Sequence, residues 1–203
     1  EKRVAFFSME MTLSQVALRM LEMEKLTKKE RQRILASEEV CPVQEVYAKA
    51  ARLAAVYPDL YCIGIDFADL MVEGEQDEAA MGDIYKTLAV LAKRTGVPIV
   101  LISQLSRRYE GGLPRVSHLR YSGMAEATAS VVCLLYNPDN LWVDMGQGKK
   151  DNPLPFTPGQ AYIIVGKSRY GFKHGGIGAF QVEWKGDMGW GEKSLGWTPL
   201  GGS

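Results

Sequence analysis

Short, uninterrupted apolar runs alternate along this chain with segments whose apolar residues recur every three or four positions. Residues 3–8 (RVAFFS) and 98–103 (PIVLIS) predict short buried strands, and 60–65 (LYCIGI), too short for a helix, a strand buried on both faces. Between them, Thr12 opens a T-x-x-Q capping box ending at Gln15, ahead of an apolar face of Ala17, Leu18 and Leu21. A second box, Thr27 to Glu30, predicts a charged helix running to about Ser37. Pro42, followed by Val43, Val46, Tyr47, Ala50 and Leu53, predicts a helix that Pro58-Asp59 ends. Met81, Ile84, Leu88 and Leu91 mark another from about Asp77 to Thr95, closed by Gly96.

Later comes a short helical stretch, then a strand over 131–136 and a Pro/Gly/Asn-rich excursion over 137–159. Strands over 161–165 and 177–184 flank the glycine-rich turn GKSRYGFKHGG. Alternating strand and helix followed by late strands predicts an α/β fold with a mainly parallel sheet. Residues 186–203 hold six glycines and read as a loose tail beyond a core of residues 1–185.

Composition narrows the class. With 203 residues, 46% hydrophobic and 24% charged, the chain suits a soluble globular domain and excludes disorder and coiled coil. No apolar run approaches the roughly 18–20 residues needed to cross a bilayer, and the start has no signal-peptide layout. Cys41, Cys62 and Cys133 lack metal-ligand spacing and an even count, so they read as buried thiols of a cytoplasmic protein. Lys+Arg and Asp+Glu balance at 24 each, which leaves partners open because charge can still be concentrated locally.

Candidate chemistry gathers at the strand ends, where open α/β sheets collect ligands. Asp66 closes one apolar strand, with Asp69 three residues on, and Glu10 follows another. A carboxylate at a strand end suits Mg²⁺, and one near the metal but not bound to it suits activation of water. Each is equally a capping or surface residue when taken alone. Gln104, after a third strand, offers an amide that can sense a phosphate. Lys167 and Arg169, two apart, share a face if extended and suit stabilisation of a transferring phosphoryl group, or form a solvated basic turn.

The loop from Leu105 to Met124 carries Arg107, Arg108, Arg115 and Arg120 against Glu110, with glycines 111, 112 and 123. Cations and free backbone N–H groups describe a loop that tracks phosphates without reading bases. The acidic stretch from Asp69 to Asp83 reads as a solvated helix start. His118 and His174 read as non-catalytic, and Tyr85 and Trp184 as core.

These segments resemble the DnaB-family replicative helicases. FFSMEM followed by SQVALRML looks like that family's S-L-E-M segment, IGIDFADLM like its I-D-Y-L-Q-L-M strand, and LAVLAKRTGVPIVLISQLSRR like its stretch ending S-Q-L-N-R. HLRYSGMAEATASVV is similar to D-L-R-x-S-G-x-I-E-Q-D-A-D-x-V, and VGKSRYGFKHGGIG to K-x-R-x-G-P-x-G. The five occur in the family's order. The resemblance implies a RecA-like three-layer fold with late antiparallel strands, the motor of a homo-hexameric ring that uses ATP or another NTP with Mg²⁺ to move along single-stranded DNA.

By position it implies that Glu10 activates water, Asp66 serves Mg²⁺ directly or through water, and Gln104 senses the γ-phosphate. Lys167 and Arg169 would reach the neighbouring subunit's site. Arg107, Arg120, Tyr121 and Gly123 would face DNA. Primase and a helicase loader are the further partners implied.

The sequence departs from the family in places. No G-x-x-x-x-G-K-[ST] occurs in these 203 residues, so the phosphate cradle and its lysine are expected upstream of the chain. His118 stands where the family has Asp, and ATAS (127–130) replaces Q-D-A-D. Two other readings stay open. One is a RecA-like domain that only binds DNA or a helicase partner. The other is a recombinase or circadian-clock relative of the same fold, which S-M-E-M and S-Q-L fit less well.

Overall fold

The structure, a computed structural model, describes residues 2–22, 26–72, 77–106, 109, 113–137, 154, 159–170, 178–184 and 190–200. The chain divides into two units: Glu1–Gln104 with Gly123–Thr128, and Leu105–Ser122 with Ala129–Ser203.

The first unit is built on a parallel sheet ordered β2-β1-β3-β4, with β1 at Arg3–Ser8, β2 at Ile34–Ser37, β3 at Leu60–Asp66 and β4 at Ile99–Leu101. Ala5 pairs with Ile63 and Phe7 with Ile65, and all four are buried on one face. Helices α3 (Val43–Val56) and α4 (Glu78–Thr95) pack there, contributing Val46, Ala50, Ile84, Leu88 and Leu91. The boundaries of α4 are those its sequence signals predict: Asp77 Oδ1 accepts from Ala80 N–H at 2.7 Å, and Gly96 stops the helix at a left-handed φ of 70°. The burial of β3 on both faces is corrected, since Tyr61 is 53% exposed, and the burial expected over 98–103 fails at Val100 and Ile102, 58% and 47% exposed.

Two further expectations need correction in this unit. The helix opened by the Thr27–Glu30 box is a single turn, α2 (Lys28–Arg31), and Ile34–Ser37 is a strand instead. The box forms, but the apolar run Ile34-Leu35-Ala36 gains ladder bonds by lying parallel to β1, and tertiary pairing overrides helix propensity. Helix α1 (Leu13–Glu22) does follow the Thr12–Gln15 box, yet it buries Val16 and turns the expected face outward. Leu18 is 56% and Leu21 55% exposed. A fifth helix, α5 (Ser122–Thr128), completes the unit.

The second unit is an antiparallel sheet ordered β5-β6-β7-β8, over Val131–Tyr136, Gln160–Ser168, Gly178–Trp184 and Trp190–Pro199. Val132, Leu134, Tyr136, Leu154, Tyr162, Ile164 and Ala179 form its core, which Leu105, Leu113, Val116 and Leu119 extend. The loose tail expected over 186–203 is corrected by β8, whose backbone pairs with β7 from Trp184↔Trp190 to Gly178↔Pro199. Its glycines are tolerated because the ladder, with two register shifts, supplies the order that they lack. Strand β5 alternates, so Cys133 faces outward, contrary to its expected burial; Cys41 is buried and Cys62 half-buried.

Arg107, Arg108, Glu110, glycines 111 and 112, His174 and most of the 137–159 excursion lie outside the described residues. Among the described residues, no helix is long and apolar enough to cross a membrane.

Candidate active site at the strand ends

Strand β1 delivers a tight turn. Ser8, fully buried, donates its hydroxyl to the Met11 carbonyl at 2.8 Å and accepts from Met11 N–H at 3.2 Å. The chain reverses over Ser8–Met11 and leaves Glu10 exposed beyond the strand. Ser8 pairs with Asp66, and Met9 N–H donates to the Asp66 carbonyl at 2.7 Å, so the turn is fastened to the end of β3. Glu10 and Asp66 thereby become electrostatic neighbours. Burial, and then the negative charge of Glu10, holds the half-buried Asp66 carboxyl above its ordinary value, against the opposing pull of Arg19.

Arg19 was not a candidate on sequence grounds. It is the one cation within α1, which starts three residues after Glu10. The short spacing is the signal that could have found it.

After β3 the chain enters a 310 turn over Ala68–Met71, and Ala68 N–H donates to the Ile102 carbonyl at 3.1 Å. This bond and Ile102 N–H to the Ile65 carbonyl (3.0 Å) carry the ladder past β4, so that Gln104 emerges exposed just beyond the end of β3's neighbour. Asp69 does not join the surface carboxylates. It is 2% exposed, and its charge, secondary to burial, raises the Tyr85 phenol. Tyr85 is buried as expected, with its hydroxyl 3.4 Å from that of Ser103. Glu10, Asp66 and Gln104 thus stand at consecutive ends of the order β1-β3-β4.

In the second unit, Lys167 is half-buried near the end of β6 and Arg169 is exposed in the turn that follows. Arg169 N–H donates to the Ser130 carbonyl at 2.8 Å, which prolongs the β5–β6 pairing past the strand. Gly166 is the extra residue of a bulge: Val132 pairs with Lys167, but Cys133 with Val165. A Cβ at Gly166 would lie 2.7 Å from Val116 Cγ2, so glycine here lets the preceding loop lie against the sheet.

That loop is closed by an antiparallel bridge between Leu105 and Leu119, and by Ser106 N–H to the His118 carbonyl at 2.7 Å. It carries a 310 turn over Val116–His118, with Arg115 exposed at its start. Arg120 is half-buried, its guanidinium 5.6 Å from the centre of the Tyr121 ring. Tyr121 takes a left-handed φ of 55°, a costly conformation for an aromatic residue, just before α5 begins at Ser122. Gly123, exposed within α5, belongs to the first unit.

A parallel α/β core with polar groups at adjacent strand ends, followed by an antiparallel sheet, defines a protein of RecA-like fold. Solved structures of similar fold include the following two. A DnaB-like replicative helicase, described with its interactions with primase, matches with a TM-score of 0.73 at 17% identity, over 94% of this chain and 50% of that one. The KaiC-like protein PH0186 of Pyrococcus horikoshii OT3 matches with a TM-score of 0.62 at 14% identity, over 94% of this chain and 74% of that one.

Residues 23–189 match the family model of the DnaB-like helicase C terminal domain, and the chain belongs to that family. The replicative DNA helicase DnaB of Mycobacterium leprae is 34% identical over 135 residues, which are 64% of this chain and 20% of the helicase. The counterpart in Leifsonia xyli is 35% identical over 133 residues, 63% of this chain and 27% of that protein. A probable plasmid replicative DNA helicase of Chlamydia trachomatis is 27% identical over 199 residues, 84% and 40% of the two chains. The chain therefore spans between 20% and 40% of the length of these relatives.

Proposed function

We propose that this chain is the motor domain of a ring helicase, coupling nucleoside triphosphate hydrolysis to movement on single-stranded DNA and to duplex unwinding in replication. The juxtaposition of Glu10 and Asp66, enforced by the Met9–Asp66 backbone bond, carries the reading. Membership of the DnaB-like helicase C-terminal domain family supports it.

The residues fit a nucleotide-bound Mg²⁺. Asp66 supplies a hard oxygen donor, and a divalent cation relieves the repulsion that raises its proton affinity. One protein carboxylate suffices where triphosphate and water would fill the other positions, and bound Mg²⁺ would neutralise charge on the phosphates. Glu10, exposed and outside the ladder, is placed to orient a water molecule and take its proton. Gln104 donates or accepts through its amide toward the terminal phosphate.

Lys167 and Arg169 act on the site of the adjacent subunit in a homo-hexamer, where rigid cations stabilise developing charge. Arg107, Arg120, Tyr121 and Gly123 serve the DNA-facing loop. The lysine-bearing phosphate cradle is not among these 203 residues, and primase and a loader are the further partners of this reading.

The missing G-x-x-x-x-G-K-[ST] favours a second reading, a RecA-like domain that binds DNA or a helicase partner without hydrolysis. ATP hydrolysis measured with and without single-stranded DNA, beside Glu10→Gln, separates the two. DNA-stimulated turnover lost in the variant supports the motor. DNA binding with no turnover in either protein supports the binding domain.

A further inference from the structure

The two arms of the loop between Leu105 and Leu119 meet at His118, which makes one backbone hydrogen bond, one ring contact and one side-chain hydrogen bond. The carbonyl of His118 accepts from Ser106 N–H at 2.7 Å, joining the loop's two arms. Its ring lies against Tyr109, with centroids 5.1 Å apart. Its Nδ1 accepts from the backbone N–H of Arg115 at 3.1 Å, closing the 310 turn from within. An imidazole nitrogen accepts a hydrogen bond only while it carries no proton, so this geometry requires the neutral ring with its hydrogen on Nε2. An imidazolium presents N–H on both nitrogens, and Nδ1–H would then face Arg115 N–H, donor against donor.

We propose that His118 is a proton-operated latch on this loop: the neutral ring holds the 310 turn closed through Arg115, and protonation at Nδ1 releases it. Among the described residues, the Tyr109 ring lies against the imidazole, and the charged residues nearest along the chain are Arg115 on the same turn and Arg120 two residues on. Burial pushes the Tyr109 hydroxyl up to about 12, with Tyr136 of β5 adding to it, so that phenol stays neutral over the range in which imidazoles change charge.

The similar family segment has Asp at this position. A carboxylate can accept the same bond and keeps accepting it down to about pH 4. The histidine therefore adds proton sensitivity to a joint that Asp would hold closed. What it releases is the 310 turn that bears Arg115 and precedes Arg120. The latch depends on loop geometry alone and stands whether or not the loop binds DNA.

Heteronuclear NMR of the 203-residue chain between pH 8 and pH 5 tests it. The Arg115 amide proton should shift upfield as the bond is lost, with the midpoint at which the His118 side-chain Nδ1 titrates. In His118→Asn, whose amide oxygen accepts at every pH, the Arg115 signal should stay fixed while the rest of the spectrum is retained. His118→Asp should behave in the same way. An Arg115 amide that does not move in the wild type, or one that still titrates in both variants, overturns the latch.

Discussion

The backbone N–H of Met9 donates to the carbonyl of Asp66 across 2.7 Å, and this bond sets a solvated glutamate beside a half-buried aspartate. Asp66 holds its proton above the ordinary carboxylate value because of burial first and Glu10 second. The folded chain thus binds that proton more tightly than the unfolded one. The resulting stability is complete below the unfolded value, about pH 4, and is lost as pH rises through the raised native value. Asp66→Asn removes this dependence. Thermal denaturation should show the variant melting above the wild type at pH 7, with the gap closing toward pH 4. A gap independent of pH would exclude the charge as its cause.

Arg169 follows the last ladder residue of β6 and is fixed through its own N–H to Ser130. If Arg169 serves a neighbouring subunit's site in a ring, Arg169→Ala should lower nucleotide turnover by about 10³-fold or more, the scale of an arginine supplied in trans. Nucleotide affinity should change little. Equilibrium binding and steady-state hydrolysis on the same preparation check this, and lost binding would contradict the assignment.

If the loop carrying Arg115 and Arg120 tracks phosphates, affinity for single-stranded DNA falls with salt and ignores base sequence. Each phosphate contact contributes a slope of about −0.7 in log K against log salt. Arg120→Ala should flatten the slope by about that amount for oligo(dT) and mixed sequences alike. Binding isotherms from low to moderate salt give the answer, and strong base preference would sink the reading.

Gly166 makes room for Val116, whose Cγ2 would lie 2.7 Å from an added Cβ. Gly166→Ala should destabilise the second unit by about 1–3 kcal/mol through overpacking. Urea denaturation measures the loss. A neutral substitution would mean that the 310 turn moves aside freely.

Much of this architecture could be read from pattern alone where local signals and tertiary demands agree. Strands β1 and β3 lie where the apolar runs place them, and α4 begins at Asp77 and ends at Gly96 because cap and stop are written locally. Where a neighbour decides, pattern is insufficient. Ile34–Ser37 becomes a strand only because β1 offers a ladder, and β8 orders a glycine-rich segment only because β7 does. Leu18 and Leu21 look like a core face, yet the turn through Ser8 and Met11 aims Val16 inward instead.

The site divides in the same way. Glu10, Asp66 and Gln104 are visible as residues that end strands. Arg19, by contrast, becomes significant only when the fold sets it near Asp66. Asp69 shares the spacing of a site residue, but the 310 turn carries it into the interior.

Strand β4 ends the order of the parallel sheet, and Val100 and Ile102 on and just after it are largely uncovered. Among the described strands β4 pairs only with β3, and an edge strand flanked by exposed β-branched side chains is a template for another chain's strand. The 203-residue polypeptide should therefore self-associate as its concentration rises, and light scattering will grow in advance of any loss of helical signal. Solubility, rather than fold stability, then sets the working range for solution experiments on it.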